Sequence, residues 1–221
     1  MSDALPPDPF DPLTEVWPAS QNVFRIHDAQ YEPNAFNPTA AASRFRPVNT
    51  ASRRVVRTLY GASGFGGAFS ETVLHDISPL GERTVAFADI EPLLLSILIP
   101  QRDLLLIKLH SNGLTRLRVR NAQVVDVDDP GYRETRLWGQ ACYDWRAPDG
   151  AGADGVVWMS RQFNSERAVM LFGTLGRATR VRRTDLKVEV ADSFQPLALP
   201  PLLDQVYDYA NRADVTIIRS S

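Results

Sequence analysis

The order of apolar and polar residues predicts short strands separated by loops and a few helices. Phe24 and Ile26 flank Arg25 in the segment 23–26, and this alternation is the period of a half-buried strand. Other apolar runs predict strands at 55–60, 104–109, 123–127, 155–159, 168–172, 181–190 and 215–219. Because they lack the regular βαβ repeat of a doubly wound sheet, we predict an α+β fold with a mixed or antiparallel sheet core and flanking helices.

Three segments have the pattern of helices. Phe65, Phe69 and Val73 recur at a spacing of four and can share one buried face. Glu71 lies off that face, and we place it near the start of the helix, where the macrodipole favours a carboxylate. The segments 132–145 and 200–210 are the other two predicted helices.

The chain divides into a proline-rich N-terminal extension, residues 1–21, and a single domain, residues 22–221. The prolines and acidic residues predict an extended, poorly ordered segment, in which Phe10 and Trp17 could anchor to the domain or to a partner. Residues 28–52 form a long predicted loop, and loops of this length in a compact domain are usually functional or mobile.

Composition narrows the classes of ligand. The net charge of −2 gives no overall attraction to nucleic acid or to an anionic membrane, so an anionic ligand must be held by a local group of arginines. The apolar run 92–100 is too short to span a bilayer, and no secretory signal precedes the domain. With Cys142 as the single cysteine, we expect a soluble, cytoplasmic protein without a disulfide.

The common catalytic motifs are absent. The glycines between Gly61 and Gly67 have the spacing of neither a phosphate-binding loop nor a dinucleotide fingerprint. His27, His75 and His110 are far apart in the sequence, and a single cysteine makes a zinc site improbable. No Gly-x-Ser-x-Gly elbow for a hydrolase triad is present. If the chain is an enzyme, its sequence therefore favours a reaction that needs neither a metal ion nor a hydrolase triad.

Five short segments follow one another along the chain: Phe24-Arg25-Ile26, Ser43-Arg44-Phe45, Leu59-Tyr60-Gly61-Ala62, Ala68-Phe69-Ser70-Glu71, and Gly155 to Ser160. Their order resembles the RES domain family, which is named for an arginine, a glutamate and a serine. The resemblance covers residues 22–192 and implies a fold like that of the ADP-ribosyltransferases. It also implies a toxin of a bacterial toxin–antitoxin pair that degrades NAD+ by hydrolysis or phosphorolysis.

The resemblance assigns a catalytic group of four residues. Glu71 would stabilise the positive ribose that forms when the nicotinamide bond breaks. Arg44 would contact a phosphate or the ribose, and Tyr60 would stack on nicotinamide or bind the ribose. Ser160 would position the ribose or the amide of nicotinamide, since no neighbouring base would activate it as a nucleophile.

Three further residues are predicted to bind NAD+. Arg25 would bind a pyrophosphate oxygen, and Phe45 would form an aromatic wall. The family loop often reads Gly-Arg-Trp-Asn-Pro, whereas this chain has Ser43-Arg44-Phe45-Arg46-Pro47, so that Arg46 adds a charge. This charge could tighten phosphate binding or alter the substrate. No cofactor other than NAD+ as substrate, and no metal, is implied.

The implied partner is an Xre-like helix-turn-helix antitoxin, and a homodimer within such a complex is possible. We predict no membrane and no direct nucleic-acid partner; the basic segment 177–183 could instead contact an acidic antitoxin. Two alternatives stay open at this point. One is a protein ADP-ribosyltransferase that uses NAD+, and the other is a non-catalytic interaction module.

Overall fold

The structure is a computed structural model that describes residues 5–39, 43–75, 77, 81–125, 132–174 and 180–219. The strands are β1 Thr14–Trp17, β2 Val23–Asp28, β3 Thr58–Ala62, β4 Thr84–Ala86, β5 Leu93–Pro100, β6 Leu104–Lys108, β7 Gly155–Met159, β8 Arg167–Phe172, β9 Leu186–Glu189, β10 Gln195–Pro196 and β11 Thr216–Ile218. The helices are α1 Phe65–Thr72, α2 Phe87–Ile90, α3 Asn112–Arg116, α4 Asn121–Val124, α5 Tyr132–Asp144 and α6 Leu202–Arg212.

Most of these strands form one mixed sheet in the order β1-β6-β7-β8-β3-β2-β5-β10, with β9 also paired to β5. The β6–β7 pair is parallel and the other pairs of this sheet are antiparallel. β4 and β11 form a separate parallel pair. The predicted α+β fold with a mixed sheet core is confirmed.

The core lies on both faces of this sheet because successive side chains of a strand point to opposite faces. Val156 and Trp158 of β7 pack with Trp138 and Cys142 of α5 in one cluster. Val157, between them in sequence, belongs to a cluster on the opposite face. A further cluster joins α1 and α6 to the sheet.

The sheet opens between β2 and β3. These strands are paired at one position only, where Phe24 lies opposite Ala62. Gly61 permits this close approach, because a Cβ atom there would lie 2.4 Å from Cγ1 of Val23. Beyond this point β2 follows β5 and β3 follows β8, so a cleft opens between the two strands.

Two predicted strands differ from the structure. The sequence predicts a strand at 123–127, but α4 ends at Val124; residues 126–131 lie outside the described part. The side chain of Gln123 accepts a hydrogen bond from the Arg120 backbone N–H at 3.0 Å, and this local cap favours a helical turn. The predicted strand 181–190 is interrupted by a 3₁₀ turn at Arg183–Asp185, which leaves only β9.

The N-terminal segment belongs to the sheet. Composition predicts a poorly ordered extension, yet β1 pairs with β6 along its whole length. Both predicted anchors contact the domain: Trp17 is fully buried, and the ring of Phe10 lies 6.1 Å from that of Trp138. The prolines flank β1 and none lies within it, so they leave its hydrogen bonds intact.

The apolar run 92–100 contains β5, a strand paired on both sides within the sheet. No helix in the described part of the chain combines the length and the apolar character that crossing a membrane requires.

Candidate active site

The cleft between β2 and β3 has a volume of about 380 Å³. It brings together five of the seven predicted site residues, whereas Phe45 and Ser160 are not among the residues that line it. Its walls come from β2, β3, the end of α1 and the loop before β3. The lining residues are Arg25, Ile26, His27, Asp28, Tyr31, Asn37, Ser43, Arg44, Arg46, Thr58, Tyr60, Glu71, Thr72 and His75.

A buried ion pair lies in this cleft. Nη1 of Arg44 donates to Oε2 of Glu71 at 3.0 Å, and the two side chains are only 3% and 8% exposed. Oε1 of Glu71 accepts a hydrogen bond from the backbone N–H of Arg161 at 3.2 Å. Both carboxylate oxygens are therefore held in place.

The position of Glu71 in its helix differs from the prediction. The sequence places it near the start, but α1 ends at Thr72, so Glu71 lies in the last turn. The macrodipole disfavours a carboxylate at this end of a helix. Helix stability therefore does not account for Glu71, and the charge is held by Arg44 and the Arg161 N–H instead.

The hairpin that joins β7 to β8 contacts both ends of α1. Arg161 follows β7 and binds Glu71, while Oε2 of Glu166 accepts the backbone N–H of Gly67 at 2.6 Å. A Cβ atom on Gly67 would lie 3.1 Å from this oxygen. Glu166 is not among the predicted site residues; Gly67, in the first turn of α1, is the signal for such a close approach.

Trp158 lies beneath the loop that carries the arginines. The Arg44 guanidinium carbon is 5.9 Å from the centre of its ring, and the ring of Tyr60 is 6.2 Å away. Phe45 packs against Trp158 at 5.3 Å and is fully buried. Phe45 thus supports Trp158 from the core and does not form the predicted wall of the cleft.

Tyr60 faces the cleft from β3. Its hydroxyl lies 3.0 Å from Oγ of Ser43, which ties the strand to the arginine loop. Burial raises the pKa of Tyr60 above the usual value for tyrosine. The hydroxyl therefore stays protonated at neutral pH and can donate a hydrogen bond to a ligand.

The other two arginines of the cleft bind the main chain. Nη1 of Arg25 donates to the carbonyl oxygens of Pro33 and Ala35 at 2.6 and 2.8 Å, and burial lowers the pKa of Arg25 to about 10. Nη2 of Arg46 donates to the carbonyl and the hydroxyl of Thr39. Both contacts fold the loop 33–39 against the edge of the cleft.

Ser160 is buried at the end of β7 and does not line the cleft. Its backbone N–H donates to the carbonyl of Glu166 at 2.9 Å, and its Oγ has no hydrogen-bond partner among the described residues. The next residue in the chain is Arg161, which binds Glu71. Ser160 is thus close to Glu71 along the main chain without lining the cleft.

The cleft also contains residues that the sequence does not single out, among them His27, Asn37, Thr58 and His75. His27 lies 2.9 Å from Oγ of Ser96 through Nε2, and burial lowers the pKa of His27. In the described part of the chain, His, Cys, Asp and Glu side chains form no group that could hold a metal ion.

The RES domain model matches residues 22–193, and the chain therefore belongs to the RES domain family. The fold is similar to that of a chain in the crystal structure of the M. tuberculosis MbcT–MbcA toxin–antitoxin complex, with a TM-score of 0.60. The two chains are 12% identical, and the superposition covers 90% of this chain and 92% of that chain. No curated protein matches the sequence.

Proposed function

We propose that the protein is the toxin of a bacterial toxin–antitoxin pair and cleaves the nicotinamide–ribose bond of NAD+. The observation that carries this proposal is the buried Arg44–Glu71 pair in a cleft also lined by Tyr60 and Arg46. Toxins of the RES domain family generally act on NAD+. The similar crystal structure is that of a toxin–antitoxin complex, which supports the toxin role.

Glu71 would stabilise the transition state electrostatically. When nicotinamide leaves, the ribose ring becomes positively charged, and a nearby carboxylate lowers the energy of that charge. A carboxylate offers about four lone-pair positions. Arg44 and the Arg161 N–H occupy two of them in Glu71, so the others remain for the ribose.

The neighbours of Glu71 would orient the substrate. Tyr60 offers a ring for the nicotinamide face and a hydroxyl donor for the ribose. Ser160 does not line the cleft, so it would act only through the main chain, as the residue before Arg161, whose N–H binds Glu71. Water or phosphate then accepts the ribosyl group, and no metal takes part in this scheme.

Loss of NAD+ with purified protein tests the proposal. Glu71→Gln keeps the size of the side chain and an acceptor for the Arg161 N–H but removes the charge. We expect the rate to fall about a hundredfold or more. The matched control is Glu91→Gln, because Glu91 is exposed at the end of α2 and does not line the cleft. Wild-type protein that leaves NAD+ intact would refute the proposal.

Two further measurements separate the possible acceptors and the biological role. Products formed with and without inorganic phosphate distinguish phosphorolysis from hydrolysis, and label from NAD+ appearing on lysate proteins would identify a protein ADP-ribosyltransferase instead. Induced expression should arrest growth, and Glu71→Gln should relieve the arrest. Co-expression of a neighbouring Xre-like helix-turn-helix protein should also relieve it, since that is the proposed antitoxin.

A further inference from the structure

Arg46 combines deep burial with a charge that no carboxylate of the described residues balances. Arg44 is paired with Glu71, whereas Arg46 is only 5% exposed and has no ion-pair partner among the described residues. Its hydrogen bonds go to the two oxygens of Thr39, which are neutral. A buried cation without a counter-ion is costly. A ligand that carries negative charge would remove this cost.

The guanidinium also keeps donors for such a ligand. Nη2 makes both hydrogen bonds to Thr39, and Nε is buried without a partner among the described residues. Nη1 donates to no described residue, although Arg46 lines the cleft. One edge of the guanidinium is therefore fixed by the protein, and the rest can bind an anion.

A second buried group of the same cleft is also without a hydrogen-bond partner among the described residues. Oγ of Thr58 is buried and makes no hydrogen bond within the described residues, and Thr58 lines the same cleft. Asn37 pairs with Thr58 through backbone hydrogen bonds of 2.7 and 3.2 Å. Its Oδ1 accepts the Thr39 N–H, whereas its Nδ2 donates to no described residue. A guanidinium, a hydroxyl and an amide with unused hydrogen-bonding capacity thus line the same cleft.

Thr58 is displaced from Tyr60 along β3. The two residues are two positions apart, so their side chains point to the same side of the strand at a separation of about 7 Å. A ligand with its reacting ribose near Tyr60 and Glu71 would place a group further along the strand near Thr58, in the cleft that Arg46 also lines. In a dinucleotide, the phosphates follow the ribose in this way.

We propose that Arg46, with Thr58 and Asn37, binds the pyrophosphate of the substrate. The other two arginines of the cleft are engaged elsewhere: Arg25 donates to the loop carbonyls of Pro33 and Ala35, and Arg44 donates to Glu71. The identity of the ligand rests on the proposed NAD+ cleavage. Binding at this position can be measured without NAD+ cleavage. Either proposal can therefore fail while the other holds.

Calorimetric titration with ADP and with adenosine tests this assignment, because the two probes differ only in the diphosphate. We expect wild-type protein to bind ADP at least tenfold more tightly than adenosine. This comparison needs no variant. Equal affinities for the two probes would overturn the proposal, whether or not the protein cleaves NAD+.

Substitutions then identify the residue responsible. Arg46→Gln should lower the affinity for ADP about tenfold and leave adenosine binding unchanged, while Arg46→Lys should retain part of the difference. Arg57→Gln is the matched control, because Arg57 is exposed and lies outside the cleft. Circular dichroism verifies that each variant is folded.

Each outcome of these titrations either supports or contradicts the assignment of Arg46. Loss of ADP affinity in Arg46→Gln but not in Arg57→Gln supports the assignment, and a further loss in Thr58→Val extends it to the hydroxyl. An Arg46→Gln variant that binds ADP as tightly as the wild type contradicts it. Equal binding of ADP and adenosine, together with Arg46-dependent binding of inorganic phosphate, would place a separate phosphate ion there instead of the substrate.

Discussion

The Glu71 carboxylate is held by a guanidinium and a backbone N–H at the end of a helix where its charge is unfavourable. Taking both charges of the Arg44–Glu71 pair out of water is costly, and their mutual attraction offsets only part of that cost. The pair is therefore weak evidence for a stabilising role. An oriented carboxylate in the cleft is what the proposed role of Glu71 requires.

Removing one partner of the Arg44–Glu71 pair should strongly lower the free energy of unfolding. Arg44→Met leaves a buried carboxylate without a counter-ion, and we expect the free energy of unfolding to fall by about 3–5 kcal/mol. Replacing both partners, as Arg44→Met with Glu71→Leu, should cost less than Arg44→Met alone, because no uncompensated charge remains. Urea denaturation of the wild type, the single variants and the double variant measures these differences.

If the losses in free energy of unfolding of the two single variants add up to the loss of the double variant, the interpretation is wrong. Additive losses would mean that the two side chains contribute independently and that Glu71 is solvated when Arg44 is absent. Both single variants are also expected to lose NAD+ cleavage, so activity alone does not distinguish them.

At the scale of elements, local pattern predicts much of the fold. The spacing of Phe65, Phe69 and Val73 predicts α1, and the apolar runs predict β7 and β8. The bounds of α1, and with them the position of Glu71 in its last turn, are not predicted. One contact of the helix, from Glu166 to the Gly67 N–H, comes from 99 residues further along the chain and leaves no local pattern.

In the cleft, too, sequence motifs indicate some of the lining residues, whereas others are brought there only by the fold. The order of the family motifs indicates Arg44, Tyr60 and Glu71, and all three line the cleft. Asn37 and Thr58 have no local signal, because they meet through an isolated backbone bridge. The aromatic side chain of Phe45 fits a binding site and a core equally well, and only the packing against Trp158 decides between them.

The contact between α5 and the arginine loop leads to a further prediction. A Cβ atom on Gly139 would lie 2.2 Å from the carbonyl oxygen of Phe45, which is backbone and cannot rotate away. Gly139→Ala should therefore displace the loop that carries Arg44 and Arg46. We expect a loss of about 1–3 kcal/mol in the free energy of unfolding and slower NAD+ cleavage.

Leu137→Ala is the control for this change, because Leu137 lies in the same helix and is 48% exposed. Its effect on stability should be on the order of 0.5 kcal/mol. Thermal and urea unfolding of both variants provide the comparison. If Gly139→Ala proves as stable and as active as the control, the helix and the loop are not tightly packed there.

At the scale of the whole molecule, the structural unit is longer than the family match. The RES domain model covers residues 22–193, yet β1 begins at Thr14, and α6 packs on α1 after the match ends. The N-terminal segment contributes the edge strand beside β6. It also contributes Glu15, which binds Arg167 and His110. Segments outside the family match therefore complete one edge of the sheet and the helical layer on α1.

Two adjacent residues of β1 test whether the N-terminal segment is part of the folded unit. Trp17 is fully buried, donates from Nε1 to the Gln21 carbonyl at 2.9 Å, and lies 4.9 Å from the Arg167 guanidinium carbon. Trp17→Ala should lower the free energy of unfolding by about 3–5 kcal/mol, a large fraction of the stability of a typical domain. Val16→Ala on the 52% exposed neighbour should change it by about 0.5 kcal/mol or less. Urea denaturation measures both, and near-equal effects would show that residues 14–17 are an appendage instead of an integral strand.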